Sequence, residues 1–178
     1  MNTQMKTRRG RKLTGLVATM IAAACMSTTS TAATDSHYTM AAISDAAHGR
    51  KVLSGDYEGA IDKIRMSDSS SVRNFYSANN LCVAYVQLRD TANASKACDT
   101  AVSGIQTMLA KKRENSYSYA VYERFLAIAL SNRGVLRAIS GDEELAYEDF
   151  SDALRLKASI SAPETNLARL SEATPPKS

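Results

Sequence analysis

From Ala41 to Pro163 the chain carries no proline, and apolar residues recur at spacings of three and four among Ala, Leu, Arg, Glu and Lys. That period predicts amphipathic helices, and alternating valine and threonine runs of the strand type are absent, so the expected fold class is all-α. Two strings repeat the same punctuation: "LSGDYEGAIDKI" at 53–64 and "ISGDEELAYEDF" at 139–150. After the first Ser-Gly-Asp, Ala60, Ile64 and Ser67 share one helical face. A shift of 34 residues returns that face as Ala94, Cys98 and Ala101, and a third copy reads Ala146, Phe150 and Ala153. The turns before them align as Gly55-Asp56-Tyr57, Arg89-Asp90-Thr91 and Gly141-Asp142-Glu143. Each predicts a helix stop followed by an acidic cap.

The upstream helices match less evenly. The second copy has Leu81, Cys82 and Tyr85, a bulky, a small and an aromatic residue. The third has Gly134 at the small position but Arg133 and Arg137 in the other two, and the first offers only Ala47, His48 and Lys51. The copies begin near Ala41, Phe75 and Ala127, so a 34-residue interval is followed by one of 52. The excess is about five turns at 3.6 residues each. Apolar residues continue through Val102, Ile105, Met108 and Leu109, and resume at Tyr119, Tyr122, Phe125 and Leu126, around the polar string "AKKRENSYS". This predicts that the two flanking helices are each two to three turns longer and form an antiparallel pair. A separate short helix is the alternative.

With a small residue, then a bulky one four later, then a small one three later, in a 34-residue unit of two helices, residues 41–158 resemble the tetratricopeptide repeat family. The resemblance implies a solenoid of about three helix-turn-helix hairpins stacked into a right-handed superhelix. Residues 159–173, "SAPETNLARLSEA" with its flank, then read as a capping helix in which Ser161 caps, Pro163 starts the helix and Leu167 and Leu170 cover the open face. Residues 174–178 read as a disordered tail. In this family the first helix of each hairpin lines a concave groove. That places Tyr76, Asn79, Asn80, Val83 and Gln87, with Ile128, Asn132, Val135 and Ile139, along a candidate binding surface. Apolar residues interleaved with Asn suit an extended peptide or a helix, because Asn bonds to backbone amides while Val and Ile contact side chains. The same residues also suit packing on a neighbouring hairpin. Asp45 and Ile128 stand where a basic carboxylate clamp of the family wants Lys, which disfavours a receptor of that kind. The resemblance also turns Cys82 and Cys98 toward one intrahairpin core, where they form either a disulfide or two buried thiols.

Ahead of this region lies a different text. Lys6, Arg8, Arg9, Arg11 and Lys12 precede the short apolar stretch "LTGLVATMIAAACM" and the small-residue tract "STTSTAA". At fourteen residues the apolar stretch is too short to span a bilayer, which takes roughly 20. Residues 1–32 therefore read as a signal peptide cut after Ala32, followed by a flexible mature N-terminus at 33–40. Lipid attachment at Cys25 is a rival that would tether the chain to the envelope. The pair Arg8-Arg9 is similar to a twin-arginine signal, but Arg11 stands where an apolar residue is expected, which favours ordinary export to the periplasm. Removing those five basic residues from 22 Lys+Arg leaves 17 against 18 Asp+Glu. The basic charge thus belongs to the leader, and the near-neutral remainder, with no long basic run, offers little electrostatic footprint for nucleic acid.

Chemistry-bearing motifs are scarce. His37 and His48 are the only histidines, with no clustered Cys or carboxylates to complete a metal site. No phosphate loop or nucleophile elbow occurs, and Asp142, Glu143 and Glu144 sit where acids favour a helix start. The expectation is a non-enzymatic module with no cofactor, which binds a protein partner of unspecified identity and touches the membrane only through Cys25. The alternative is a self-associating structural protein that dimerises through the long pair near 103–126.

Overall fold

Three helix pairs and a final single helix follow one another along the described chain. The structure, a computed structural model, describes residues 38–67, 74–112, 116–156 and 159–173, all within one compact unit, residues 34–178. The expected leader with Cys25, the cut after Ala32, His37 and the tail 174–178 lie outside the described residues. The helices are α1 (Gly49–Leu53), α2 (Tyr57–Met66), α3 (Phe75–Gln87), α4 (Thr91–Leu109), α5 (Tyr117–Ile139), α6 (Glu143–Arg155) and α7 (Ala162–Ala173). Among the described residues there is no strand, so the chain is all-α, and none of these helices is long and apolar enough to cross a membrane.

The three bends share one construction. Gly55, Arg89 and Gly141 adopt left-handed φ of 83°, 58° and 87°. The next residue in each, Asp56, Asp90 or Asp142, donates its N–H five residues back, to Lys51, Tyr85 or Arg137, each at 2.9 Å. This closes the first helix and satisfies a terminal carbonyl. Asp56 and Asp90 then cap α2 and α4 by accepting from the N–H of Gly59 and Asn93, both at 3.1 Å. Asp142, expected to cap as well, makes no such bond. At that start the charge comes instead from Glu143 and Glu144 in the first turn.

The repeated face is the core. Ala60, Ala94, Ala146, Ile64, Cys98 and Phe150 are all fully buried, whereas Ser67 falls at the exposed end of α2. Small residues let paired helices approach, and the bulky ones fill the space behind. Gly134 on α5 carries this furthest, because a Cβ there would lie 2.6 Å from the Phe150 ring. Cys82 on α3 and Cys98 on α4 form a disulfide with Cα atoms 4.8 Å apart, which closes a 16-residue separation.

Arg133 and Arg137 occupy positions where apolar and aromatic residues are expected, and the structure supplies their compensation. Asp149 on α6 is 3% exposed and receives both guanidinium groups, Arg133 through a bidentate pair at 2.9 and 2.8 Å and Arg137 at 2.8 Å. Donating hydrogen bonds to Asp149 holds the Arg133 guanidinium above its ordinary pKa, with a further contribution from Asp99 on α4.

The eighteen extra residues lie in helices. α5 is 23 residues long against 13 in α3, and α4 is 19 against 10 in α2 and 13 in α6. Two lengthened helices therefore flank the junction. Their inner faces meet Phe75 and Tyr76 in a second core with Ile105, Leu126, Tyr122 and Phe125. The Phe75 and Phe125 rings lie 5.9 Å apart, and Tyr76 meets Phe125 edge-on at 5.0 Å. Burial in this cluster raises the Tyr76 phenol above its ordinary pKa. Tyr117, by contrast, is 88% exposed.

The first copy departs from the expected helical start at Ala41. Residues 38–43 are not helical, 44–48 form turns, and α1 is only five residues long. Ala47 and His48 hold left-handed φ of 42° and 57°, which costs about 1–2 kcal/mol each for residues with a Cβ. Gly49 follows in close contact with the preceding loop: a Cβ on it would lie 1.9 Å from the Ile43 carbonyl oxygen. What holds this stretch out of the helix is a set of side chains from the other copies.

Candidate functional site

A side-chain amide offers one acceptor and two donor hydrogens, so it can mimic the paired C=O and N–H of a neighbouring strand. Three asparagines do this in a row. Asn166 on α7 accepts from the N–H of Thr39 at 2.7 Å and donates to its carbonyl at 2.8 Å. Asn132 on α5 accepts from Ala41 N–H at 2.9 Å and donates to its carbonyl at 2.8 Å. Asn80 on α3 accepts from Ile43 N–H at 2.8 Å and donates to its carbonyl at 3.1 Å. In extended backbone the N–H and C=O of one residue point to the same side and alternate along the chain. The bonding at 39, 41 and 43 is therefore the signature of an extended segment lying across α7, α5 and α3.

A second layer orients these amides. Asn132 also donates to Asn79 Oδ1 at 2.9 Å, while Asn79 donates to the Ala41 carbonyl at 3.0 Å. Asn166 donates to Ser131 Oγ at 3.3 Å. In both places the supporting residue immediately precedes the previous asparagine of the row. Asn80 reaches further, to the carbonyl of Ala46 at 2.9 Å, and thereby holds the turn that leads into α1. Asn79, Asn80, Asn132, Asn166 and Ser131 are each no more than 1% exposed, and no buried side-chain polar atom among the described residues lacks a partner.

The other face of the segment is apolar. Tyr38, Met40 and Ala42 pack against the main core, which includes Val83, Val135 and Phe150. Tyr38 stacks on Phe150 with ring centroids 6.3 Å apart. Backbone contacts at odd positions and side-chain contacts at even ones together define the seat.

The nine candidate groove residues separate accordingly. Asn79, Asn80 and Asn132 converge on the segment, and Val83 and Val135 lie in the core that its side chains touch. Tyr76 belongs to the aromatic cluster of the long pair. Ile128 is half-buried, and Gln87 and Ile139 are exposed. Asn166 is missing from the sequence-based set. The signal for it was present: Asn132 follows Asn80 by 52 residues, and Asn166 follows Asn132 by 34, the same two intervals that separate the repeats. Within the stretch 33–40, expected as a flexible N-terminus, Thr39 is bonded to Asn166 and Tyr38 and Met40 pack against the core; 33–37 lie outside the described residues.

Compared with family models, curated proteins and solved structures, the chain shows no match to any of them.

Proposed function

We propose that this chain is an exported, non-enzymatic interaction module of the tetratricopeptide type, which binds a partner protein through an extended stretch of that partner's backbone. The observation that carries the proposal is the asparagine row: three amides in repeat register, on α3, α5 and α7, which together engage both backbone groups of every second residue in an extended segment. Recognition of this kind draws affinity from the main chain and selectivity from the alternate side chains, as strand addition does. In this reading α7 stands in the place of a repeat's first helix as well as serving as a cap, because Asn166 sits in the repeat register. The leader-like residues 1–32 and a disulfide between Cys82 and Cys98 fit an oxidising compartment such as the periplasm, with Cys25 as the alternative point of attachment.

Self-association through the long pair is the less favoured reading. Tyr122, Phe125 and Leu126 are engaged by Phe75 and its neighbours, which leaves Tyr117 as the exposed aromatic of the 117–126 stretch. The peptide reading is tested by probing an array of extended peptides with the full chain carrying Ala41→Pro, which removes the N–H that Asn132 accepts. Saturable capture of a subset, weakened at least tenfold when Asn132→Ala is added, is expected; no capture of any peptide sinks the proposal.

A further inference from the structure

We infer that residues 38–43 are a resident occupant of the groove, seated in cis and exchangeable for a second peptide whose alternate side chains are aromatic, long apolar and small. This inference rests on the peptide-binding reading above and specifies both its ligand and its regulation. The pattern comes from the seat itself. Tyr38 stacks on Phe150, and Met40 and Ala42, a long and a small apolar side chain, are half-buried against the same cluster. Thr39, between Tyr38 and Met40, is exposed, and its hydroxyl accepts a hydrogen bond from Arg169 at 3.3 Å.

Three features make the segment an occupant that can be exchanged. Its backbone bonds to α3, α5 and α7 all run through side-chain amides, so another extended backbone would make the same bonds in its place; the side-chain bond from Arg169 to the Thr39 hydroxyl adds to them at the exposed end. An empty groove is disfavoured, because Asn79, Asn80, Asn132 and Asn166 would lose their bonds to the segment backbone together and keep only those to one another, to Ser131 and to the turn at Ala46, so exchange rather than emptying is the accessible event. Finally, the joint between the segment and α1 contains two consecutive non-glycine residues in the left-handed region, Ala47 and His48. That strain accompanies the seated state, whereas a peptide arriving in trans carries no such joint. The covalent link in turn gives the resident segment an effective concentration on the order of millimolar, so it excludes weak competitors and yields to a peptide that fits better.

The probe is a fluorescent hexapeptide with the sequence of residues 38–43, titrated by anisotropy against the full chain. The Ala41→Pro chain is expected to bind it at least tenfold more tightly than the wild type, and a hexapeptide with Ser in place of both Tyr and Met is expected to lose that binding. Should Ala41→Pro fail to fold by circular dichroism, Thr39→Pro at the exposed end replaces it, with at least a threefold gain expected. Equal binding by wild type and folded variant overturns the cis-occupant inference, as does no binding by either. If the variant captures other peptides from the array but not this one, the inference falls while the peptide-binding reading stands; if it captures none, both fall.

Discussion

At the scale of single residues, much of this fold depends on positions where one atom too many or one charge too few is decisive. Gly49 is the sharpest case, since any Cβ would overlap the Ile43 carbonyl and push the segment off Asn80. Gly49→Ala is expected to cost about 1–3 kcal/mol in denaturant unfolding, as overpacking of a filled site does. Asp149 is the opposite case, a buried carboxylate whose removal takes the main charge partner from two guanidinium groups and leaves Arg133 with Asp99 and Arg137 with the Leu145 carbonyl. Asp149→Ala is expected to cost about 3–5 kcal/mol, the range for one partner lost from a buried pair. The caps contribute to the acid response. The hydrogen bond from Lys51 lowers the pKa of Asp56, and those from the Asn93 side chain and backbone lower that of Asp90. A carboxyl with a lowered folded pKa contributes stability above its unfolded pKa and loses it as pH falls through the folded one. The melting temperature should therefore fall below about pH 4, and Asp56→Asn with Asp90→Asn, which keeps both cap acceptors, should flatten that fall.

Among the elements, those whose stability is written in their own residues were legible and the one whose shape is imposed from outside was not. The second-helix faces and the three bends follow from small residues at helical spacing and from Gly-Asp or Arg-Asp stops. The long pair followed from apolar residues continuing past the normal end of a repeat. The first helix was misread because nothing within 41–48 forbids a helix. Its alanines favour one, and the override comes from Asn80 and Asn132, on α3 and α5. The disulfide, which resemblance left open against two free thiols, joins the middle of α3 to α4. Reducing it, or replacing both cysteines with Ala, is expected to lower stability by about 3 kcal/mol, the chain-entropy estimate for a loop of this size, and a thermal melt with and without reductant reads this directly.

The whole molecule adds what neither scale contains: the repeat brings one asparagine from each of three helices into a single row. Asn80 and Asn132 were recognisable as backbone binders from residue chemistry, but what they bind is a segment of the same chain, 37 and 91 residues away in sequence. Asn166 is legible in principle by its 34-residue spacing, but Ser161, Pro163, Leu167 and Leu170 read as a capping helix, which draws no attention to its polar positions. The row's function depends on whether it grips extended backbone in solution, residue by residue. Amide hydrogen exchange, resolved by NMR in the full chain, measures this most directly. The amides of Thr39, Ala41 and Ile43 should exchange slowly and those of Met40 and Ala42 quickly, with Asn132→Ala releasing Ala41 first. Uniformly fast exchange across 38–43 in the folded protein would contradict the account.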